Sequence, residues 1–269
     1  MTLEFVKMNG AGNDFVLIDN RSARIRLTPE QIVRLCHRQR GIGADGLFLL
    51  GPNRSGRADW SWEFYNSDGS TAEMCGNGAR CFARFVQSLT GATDRTSFET
   101  GAGVIAATFH GARVTVDLTA PKDLRLHEIL TAAGAKWTVH SLNTGVPHAV
   151  LFVPDADQAM VQQLGADIRH HPHFKPKGTN VNFVQVLGPG RIRVRTYERG
   201  VEGETLACGT GVTASALVAS RIHQFTAPVQ VQVQGGDILE VSWSAAGEAF
   251  ADVKLTGPAD FVFRGTIEV

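Results

Sequence analysis

Cysteine is scarce in this chain, and its four copies, at positions 36, 75, 81 and 208 of 269 residues, are too few and too unevenly spaced for a disulfide framework. No CxxC pair and no His/Cys cluster has zinc spacing, so free thiols in a reducing compartment are expected. Charge of one sign is missing too: Lys plus Arg and Asp plus Glu each number 26, which leaves a formal net charge of zero. That balance, with no long basic or acidic run, argues against nucleic acid or a membrane surface as the partner and favours a small molecule. No apolar run approaches the roughly 18 residues of a membrane span, and Met1 to Asp19 carries acidic and polar residues where a signal peptide is apolar. A soluble, cytoplasmic protein is the expectation.

With 43% hydrophobic residues, the chain can fill one large core or two modest ones. Laid against itself, it shows why two is the better expectation, because four local patterns recur in the same order. Gly12-Asn13-Asp14-Phe15 through Ile18 is echoed by Gly145-Val146-Pro147-His148 through Leu151, a shift of 133. Arg40-Gly41 through Pro52 matches Lys177-Gly178 through Pro189 at a shift of 137, and Cys75-Gly76-Asn77-Gly78 matches Cys208-Gly209-Thr210-Gly211 at 133. Gly101 and its flanks match Gly235 and its flanks at 134. One such match is unremarkable between glycine-rich turns; a nearly constant shift over four of them marks a duplication.

Each half reads as a strand ending at Phe64-Tyr65-Asn66 or Thr196-Tyr197-Glu198, a polar loop, the Cys-Gly-x-Gly turn, and a helix. The first helix, expected over Ala79 to Leu89, places Phe82, Phe85, Val86 and Leu89 on one core face; Val212, Ala216, Leu217 and Ile222 do so in the second. An earlier helix is expected from Pro29 to Gln39. Period-two strands follow each cysteine helix, as in Val229 to Val233 and Ile238 to Val241 around Gly235-Gly236. The fold class expected is α+β: two pseudo-symmetric lobes, each an antiparallel-rich sheet around a central helix and related by a pseudo-twofold axis. The lobes are assigned to 1–119, carrying Cys75, and 120–258, carrying Cys208, with 259–269 returning to the first as a strand.

Cysteine at a helix start meets backbone N–H groups and the positive end of the helix dipole, both of which favour its thiolate. Glycines at the next position and two beyond let backbone come close to a ligand, and the exposed N–H groups suit a carboxylate. Two such thiols approaching one carbon from opposite sides are what an epimerase needs, one to remove a proton and one to return it. Cys36 and Cys81, which lie within helices and have no counterpart, read as buried small hydrophobes. The glycine-rich turns lack the Lys-Ser/Thr of a phosphate loop and the GxGxxG spacing of a dinucleotide site.

These motifs resemble the diaminopimelate epimerase family over nearly the whole chain: Met8 to Phe15, Tyr65-Asn66-Ser67-Asp68-Gly69, Met74 to Cys81, Tyr197-Glu198-Arg199-Gly200 and Ala207 to Gly211. The resemblance implies interconversion of LL- and meso-diaminopimelate on the way to lysine and peptidoglycan, without pyridoxal phosphate, other cofactor or metal, in a homodimer. It implies that Cys75 and Cys208 are the acid–base pair. Gly76, Asn77, Gly209 and Thr210 are implied at the carboxylate, Asn13, Asn66, Asn180, Glu198 and Arg199 at the substrate's ammonium and distal groups, and His148 near the reacting centre. Three positions depart from the common pattern: Gly46 replaces a glutamine found in some members, Val146 an asparagine, and Asn9 a histidine. The nearest alternative in the same architecture is a racemase or epimerase for proline, hydroxyproline or histidine; a thiol redox protein or a binding module is the alternative of another class. Arg199 with three asparagines favours a substrate that has a second charged end.

Overall fold

Two residues with left-handed backbone, Ala11 (φ 61°) and Gly12 (φ 89°), turn the chain between β1 (Thr2–Gly10) and β2 (Asn13–Asp19), an antiparallel pair. The structure is a computed structural model and describes residues 1–53, 55–72, 74–247 and 249–269. The chain divides into two units, Met1–Val116 with Gly257–Val269, and Asp117–Thr256.

In the first unit, α1 (Pro29–Cys36) carries the chain from β2 to β3 (Gly46–Pro52), which runs parallel to β2. Its start is written locally: Thr28 Oγ1 accepts from the Gln31 N–H, the Gln31 side chain accepts from the Thr28 N–H, and Pro29 occupies the first helical position. Its end comes three residues before the expected Gln39. His37 leaves the helix in an extended conformation, and its Nδ1 accepts from the N–H groups of Gln39 and Arg40, both at 3.2 Å, so an imidazole replaces the helical carbonyls.

Antiparallel to β3 lies β4 (Trp60–Asn66), and α2 (Gly76–Thr90) then crosses to β5 (Arg95–Thr100), parallel to β4. Antiparallel β6 (Gly103–His110) and β7 (Arg113–Asp117) follow. The helix begins three residues earlier than Ala79 because Cys75 caps it, and it stops where Gly91 takes a left-handed conformation at φ 72°.

The second unit repeats this plan. β8 (Lys122–Ala132), β9 (Ala135–Asn143) and β10 (Pro147–Phe152) are successively antiparallel, and α3 (Val161–Arg169) crosses to parallel β11 (Asn180–Gly188). β12 (Arg191–Glu198) is antiparallel to β11, short β13 (Gly203–Thr205) lies beside it, and α4 (Gly209–His223) crosses to parallel β14 (Val229–Gln232). β15 (Ile238–Ala246) and β16 (Ala249–Pro258) complete the run as antiparallel strands. The last strand, β17 (Asp260–Glu268), pairs antiparallel with β1 from Thr2↔Glu268 to Asn9↔Asp260. The chain is thus an α+β protein, antiparallel-rich, with a helix crossover at each parallel pair.

The expectation that each cysteine helix has one core face is corrected. Gly76 to Ala83 of α2 are all buried, and so are Gly209 and Gly211 to Ser220 of α4. The sheet wraps these helices: α2 packs on β1, β2, β3, β5 and β6, and α4 on strands from β9 to β15. Small residues, Ala214, Ser215, Ala216 and Ala219, let strands approach α4 from every side. The strands between are buried on both faces. Leu47 and Leu49 join Ile32 and Leu35 beneath α1, while Phe48, between them, enters an aromatic cluster against α2.

Candidate active site

A cysteine stands at the N-cap of both buried helices, and in the first its sulfur makes the capping bond. In the first unit Cys75, extended at φ −146° and ψ 117°, accepts from the Gly78 N–H at 3.4 Å, and its carbonyl receives the Ala79 N–H at 2.7 Å. The Gly78 N–H is thereby satisfied in the first turn, where a helix has no carbonyl of its own to offer it, and the Cys75 carbonyl takes the first bond of the helix ladder. The thiol in turn donates to Asn13 Oδ1 at 3.6 Å.

Asn13 is held from behind. Its Nδ2 donates to Asp45 Oδ2 at 2.5 Å, and Asp45 also receives Arg38 at 2.7 Å and the Asp14 N–H at 3.2 Å. Burial works to raise the Asp14 carboxyl, but hydrogen bonds and charge from Arg38 and Lys7 hold it at about 2, so it is ionised at neutral pH. Asn66, at the end of β4, donates to Ser70 Oγ at 3.0 Å and stands opposite Gly46 across the β3–β4 ladder. A Cβ at Gly46 would lie 2.7 Å from the Tyr65 carbonyl oxygen, so strand packing here leaves no room for a side chain.

Arg80, fully buried, fastens the first turn of α2: it donates to Asn77 Oδ1 at 3.0 Å, to the Gly76 carbonyl at 3.2 Å and to the Pro258 carbonyl at 3.1 Å. Gly78 is required for the helix to sit down, because a Cβ there would come within 2.4 Å of the Phe48 ring.

In the second unit Cys208 caps α4 at φ −117° and ψ 107°, with its Sγ 3.6 Å from Thr210 Oγ1. Thr144 Oγ1 donates to the Thr210 carbonyl at 2.9 Å. Asn180 donates to the Pro147 carbonyl at 3.1 Å and accepts from the Arg199 N–H at 2.8 Å, so one amide ties the strand carrying His148 to the turn that opens at Arg199, just after Glu198 ends β12. His148 is buried, and burial, then the Arg199 charge, pushes its pKa down to about 3; the imidazole is neutral at pH 7. Its Nδ1 is 3.2 Å from Asn182 Nδ2, and its Nε2 is buried without a hydrogen-bond partner among the described residues.

Of the predicted residues, Asn13 touches Cys75 in the first unit, and in the second Thr210 lies beside Cys208 and His148 beside Gly211, with Asn180 bonded to Pro147 and Arg199; Asn66 bonds Ser70, and Glu198 ends β12. The other cysteines are elsewhere. Cys36 and Cys81 are buried, and burial pushes both thiols up to about 12. Among the described residues no group of three or more His, Cys, Asp or Glu side chains is arranged to hold a metal ion. Sequence reasoning missed Asp45, Arg80 and Asn182, which touch predicted site residues.

The family model for diaminopimelate epimerase matches residues 5–123 and 140–262. A diaminopimelate epimerase of Aquifex aeolicus is 44% identical over 276 residues, covering 98% of both chains, and one of Chlorobaculum tepidum is 43% identical over 266 residues, covering 97% of this chain and 99% of the other. Among solved structures, a Bacillus anthracis phenazine biosynthesis protein of the PhzF family aligns with a TM-score of 0.77 at 13% identity over the whole of both chains. A hydroxyproline epimerase from Agrobacterium vitis, with bound trans-4-hydroxy-L-proline, aligns at 0.72 and 15% identity over 99% of this chain and 92% of its own. At such identities the two structures share the fold, while the sequence relatives share far more, and the chain belongs to the diaminopimelate epimerase family.

Proposed function

We propose that this chain is an amino-acid epimerase that interconverts LL- and meso-diaminopimelate, with Cys75 and Cys208 as the paired acid and base. The observation that carries the mechanism is the repeated device: a cysteine N-cap, a glycine at the first helical position, and a helix with its opening turns almost wholly buried, once in each unit.

Inverting a carbon next to a carboxylate needs one group to take the proton from one face and another to deliver a proton to the opposite face. A thiolate does the first and a thiol the second; the reverse reaction exchanges them, so no proton is gained or lost. The difficulty is the weak acidity of the α-carbon, and the remedy is to stabilise the enolate-like charge with fixed dipoles. First-turn N–H groups at Gly76, Asn77, Gly209 and Thr210 supply these to the carboxylate. Asn13, Asn66, Asn180, Glu198 and Arg199 hold the ammonium and the distal amino-acid end, and His148 supports the reacting centre. The chemistry as written calls on no cofactor. The working form is proposed to be a cytoplasmic homodimer.

The test is to incubate the reduced protein with LL-diaminopimelate in heavy water and follow the α-proton signal and the diastereomers. Deuterium should enter at the α-carbon as the meso isomer forms. Absence of exchange under reducing conditions, or exchange into proline or hydroxyproline in its place, overturns the reading.

A further inference from the structure

The layer on which each cysteine helix rests has diverged between the two copies. In the first unit it is apolar: Phe15 on β2, Phe48 on β3 and Phe64 on β4, with Phe48 stacked on Phe64 at 4.3 Å between centroids and edge-on to Phe15 at 5.2 Å. Phe48 is the residue that lies under Gly78. The matching register in the second unit, where His148↔Asn180 repeats Phe15↔Gly46 and Asn182↔Thr196 repeats Phe48↔Phe64, puts His148, Asn182 and Thr196 in those three places. There Asn182 and His148 lie under Gly211: a Cβ on Gly211 would be 2.4 Å from Asn182 Oδ1 and 3.3 Å from His148 Cε1. Three phenyl rings satisfy the fold in one copy, so the fold alone does not demand three polar side chains in the other. Burying them costs free energy that only complete hydrogen bonding offsets.

The bonding places every proton of the three side chains and gives an acceptor to all but one. Asn182 Nδ2 lies 3.0 Å from the Ala149 carbonyl, which can only accept, so that end of the amide is the nitrogen. Its oxygen accepts from Thr196 Oγ1 at 2.9 Å. One hydrogen of Nδ2 goes to Ala149, which leaves the second for His148 Nδ1 at 3.2 Å. A donor faces Nδ1, so Nδ1 must accept and cannot carry a proton, and the neutral ring holds its hydrogen on Nε2.

The structure assigns Asn182 as a positioning residue that holds His148 in the Nε2–H tautomer, making the ring a hydrogen-bond donor beside the first turn of α4 and barring it from acting there as a base. Its buried Nε2, without a partner among the described residues, is the donor left over for a ligand. The tautomer follows from this unit's own bonding; its consequence for turnover rests on the epimerase reading. A negatively charged carboxylate or enolate is the ligand chemistry such a donor serves, and proton abstraction stays with the thiols.

Nitrogen-15 NMR of the full chain labelled at histidine tests both parts. In the unmodified protein His148 should show a proton on Nε2 and none on Nδ1, unchanged between about pH 5 and 8; a protonated Nδ1 overturns the inference. Asn182→Asp replaces the donor by an acceptor, so Nδ1 should become protonated and kcat should fall by about 100-fold with the fold intact by thermal melting. A folded Asn182→Asp protein that keeps the Nε2–H tautomer, or one whose tautomer moves without loss of turnover, counts against it. Since the tautomer is read in the unmodified chain, a variant that does not fold leaves the inference exposed to refutation. Failure of the epimerase reading appears separately, as no deuterium exchange in a protein with the expected tautomer.

Discussion

The thiol of Cys75 points its hydrogen bond at the Asn13 side-chain oxygen, 3.6 Å away, and the nitrogen of the same amide is held by Asp45 at 2.5 Å. An amide pinned at one end presents a fixed oxygen to the sulfur at the other. Asp45 is 42% exposed and binds Arg38 from the surface, so its removal disturbs the site more than the core. Asp45→Ala should cost less than about 1 kcal/mol of stability, as exposed pairs do, while lowering kcat/KM by about tenfold through a freed Asn13. Denaturant melts and steady-state rates measured on the same preparation check it; an unchanged kcat/KM means Asn13 is oriented by something else.

Gly78 and Gly211 make the opposite trade. Each holds the third residue of a buried helix, and at each a Cβ would come within 2.4 Å of a side chain in the supporting layer, Phe48 or Asn182. Alanine at either position should destabilise its unit by about 1–3 kcal/mol, since overpacking a closed layer forces its neighbours off their rotamers. The midpoint of urea unfolding reads the effect. Gly211→Ala should also reduce turnover, because the atom displaced is the one that holds Thr196 and orients the amide against His148. A Gly211→Ala protein as stable and as active as the parent shows that the layer gives way easily.

Much of this architecture is legible in the sequence. The shift of about 134 residues disclosed two related halves, and a cysteine followed by Gly-x-Gly disclosed a helix start, because both signals are local in sequence. The parts that stayed hidden are those in which the sheet closes around the helices. Helical spacing in α2 showed one apolar face, and nothing in it said that Arg80 would be buried against the carbonyl of Pro258, far away in the chain. Asn182 did leave a trace: it sits between Val181 and Phe183 at the position where the first copy has Phe48, a polar residue at a core place of a duplicated strand. Comparing the copies residue by residue, and not only by motif, would have found it. The end of α1 escaped because His37 looked like one more helical residue until its imidazole was seen capping the next turn.

Three of the four thiols should separate cleanly on substitution. Cys75→Ala and Cys208→Ala should each lose epimerisation by at least about 100-fold, the usual lower bound for removing a positioned acid or base. Cys81 is fully buried with its thiol pushed up to about 12, so it stays protonated and inert; Cys81→Ala should cost on the order of 1 kcal/mol from the small void and leave turnover within about twofold. Rates of product formation for the three variants, set beside their melting temperatures, decide the matter. Appreciable turnover in either of the first two removes that cysteine from its proposed role.

Acid should destabilise the protein in part through His148. In the unfolded chain an imidazole takes up its proton near pH 6.5, whereas burial delays that uptake in the fold to about 3. Between those limits the unfolded state holds the extra proton, so stability rises with pH through this window; the contribution is complete above about 6.5 and is lost as pH falls toward 3. One proton corresponds to a slope of about 1.4 kcal/mol per pH unit in the middle of the range. Groups common to both proteins cancel when the unmodified chain is compared with His148→Gln, which has no proton to take up. Urea unfolding from pH 7.5 down to 4.5 should give the variant a shallower dependence by about that slope, and equal slopes would mean that His148 is already protonated, or reached by water, in the folded state.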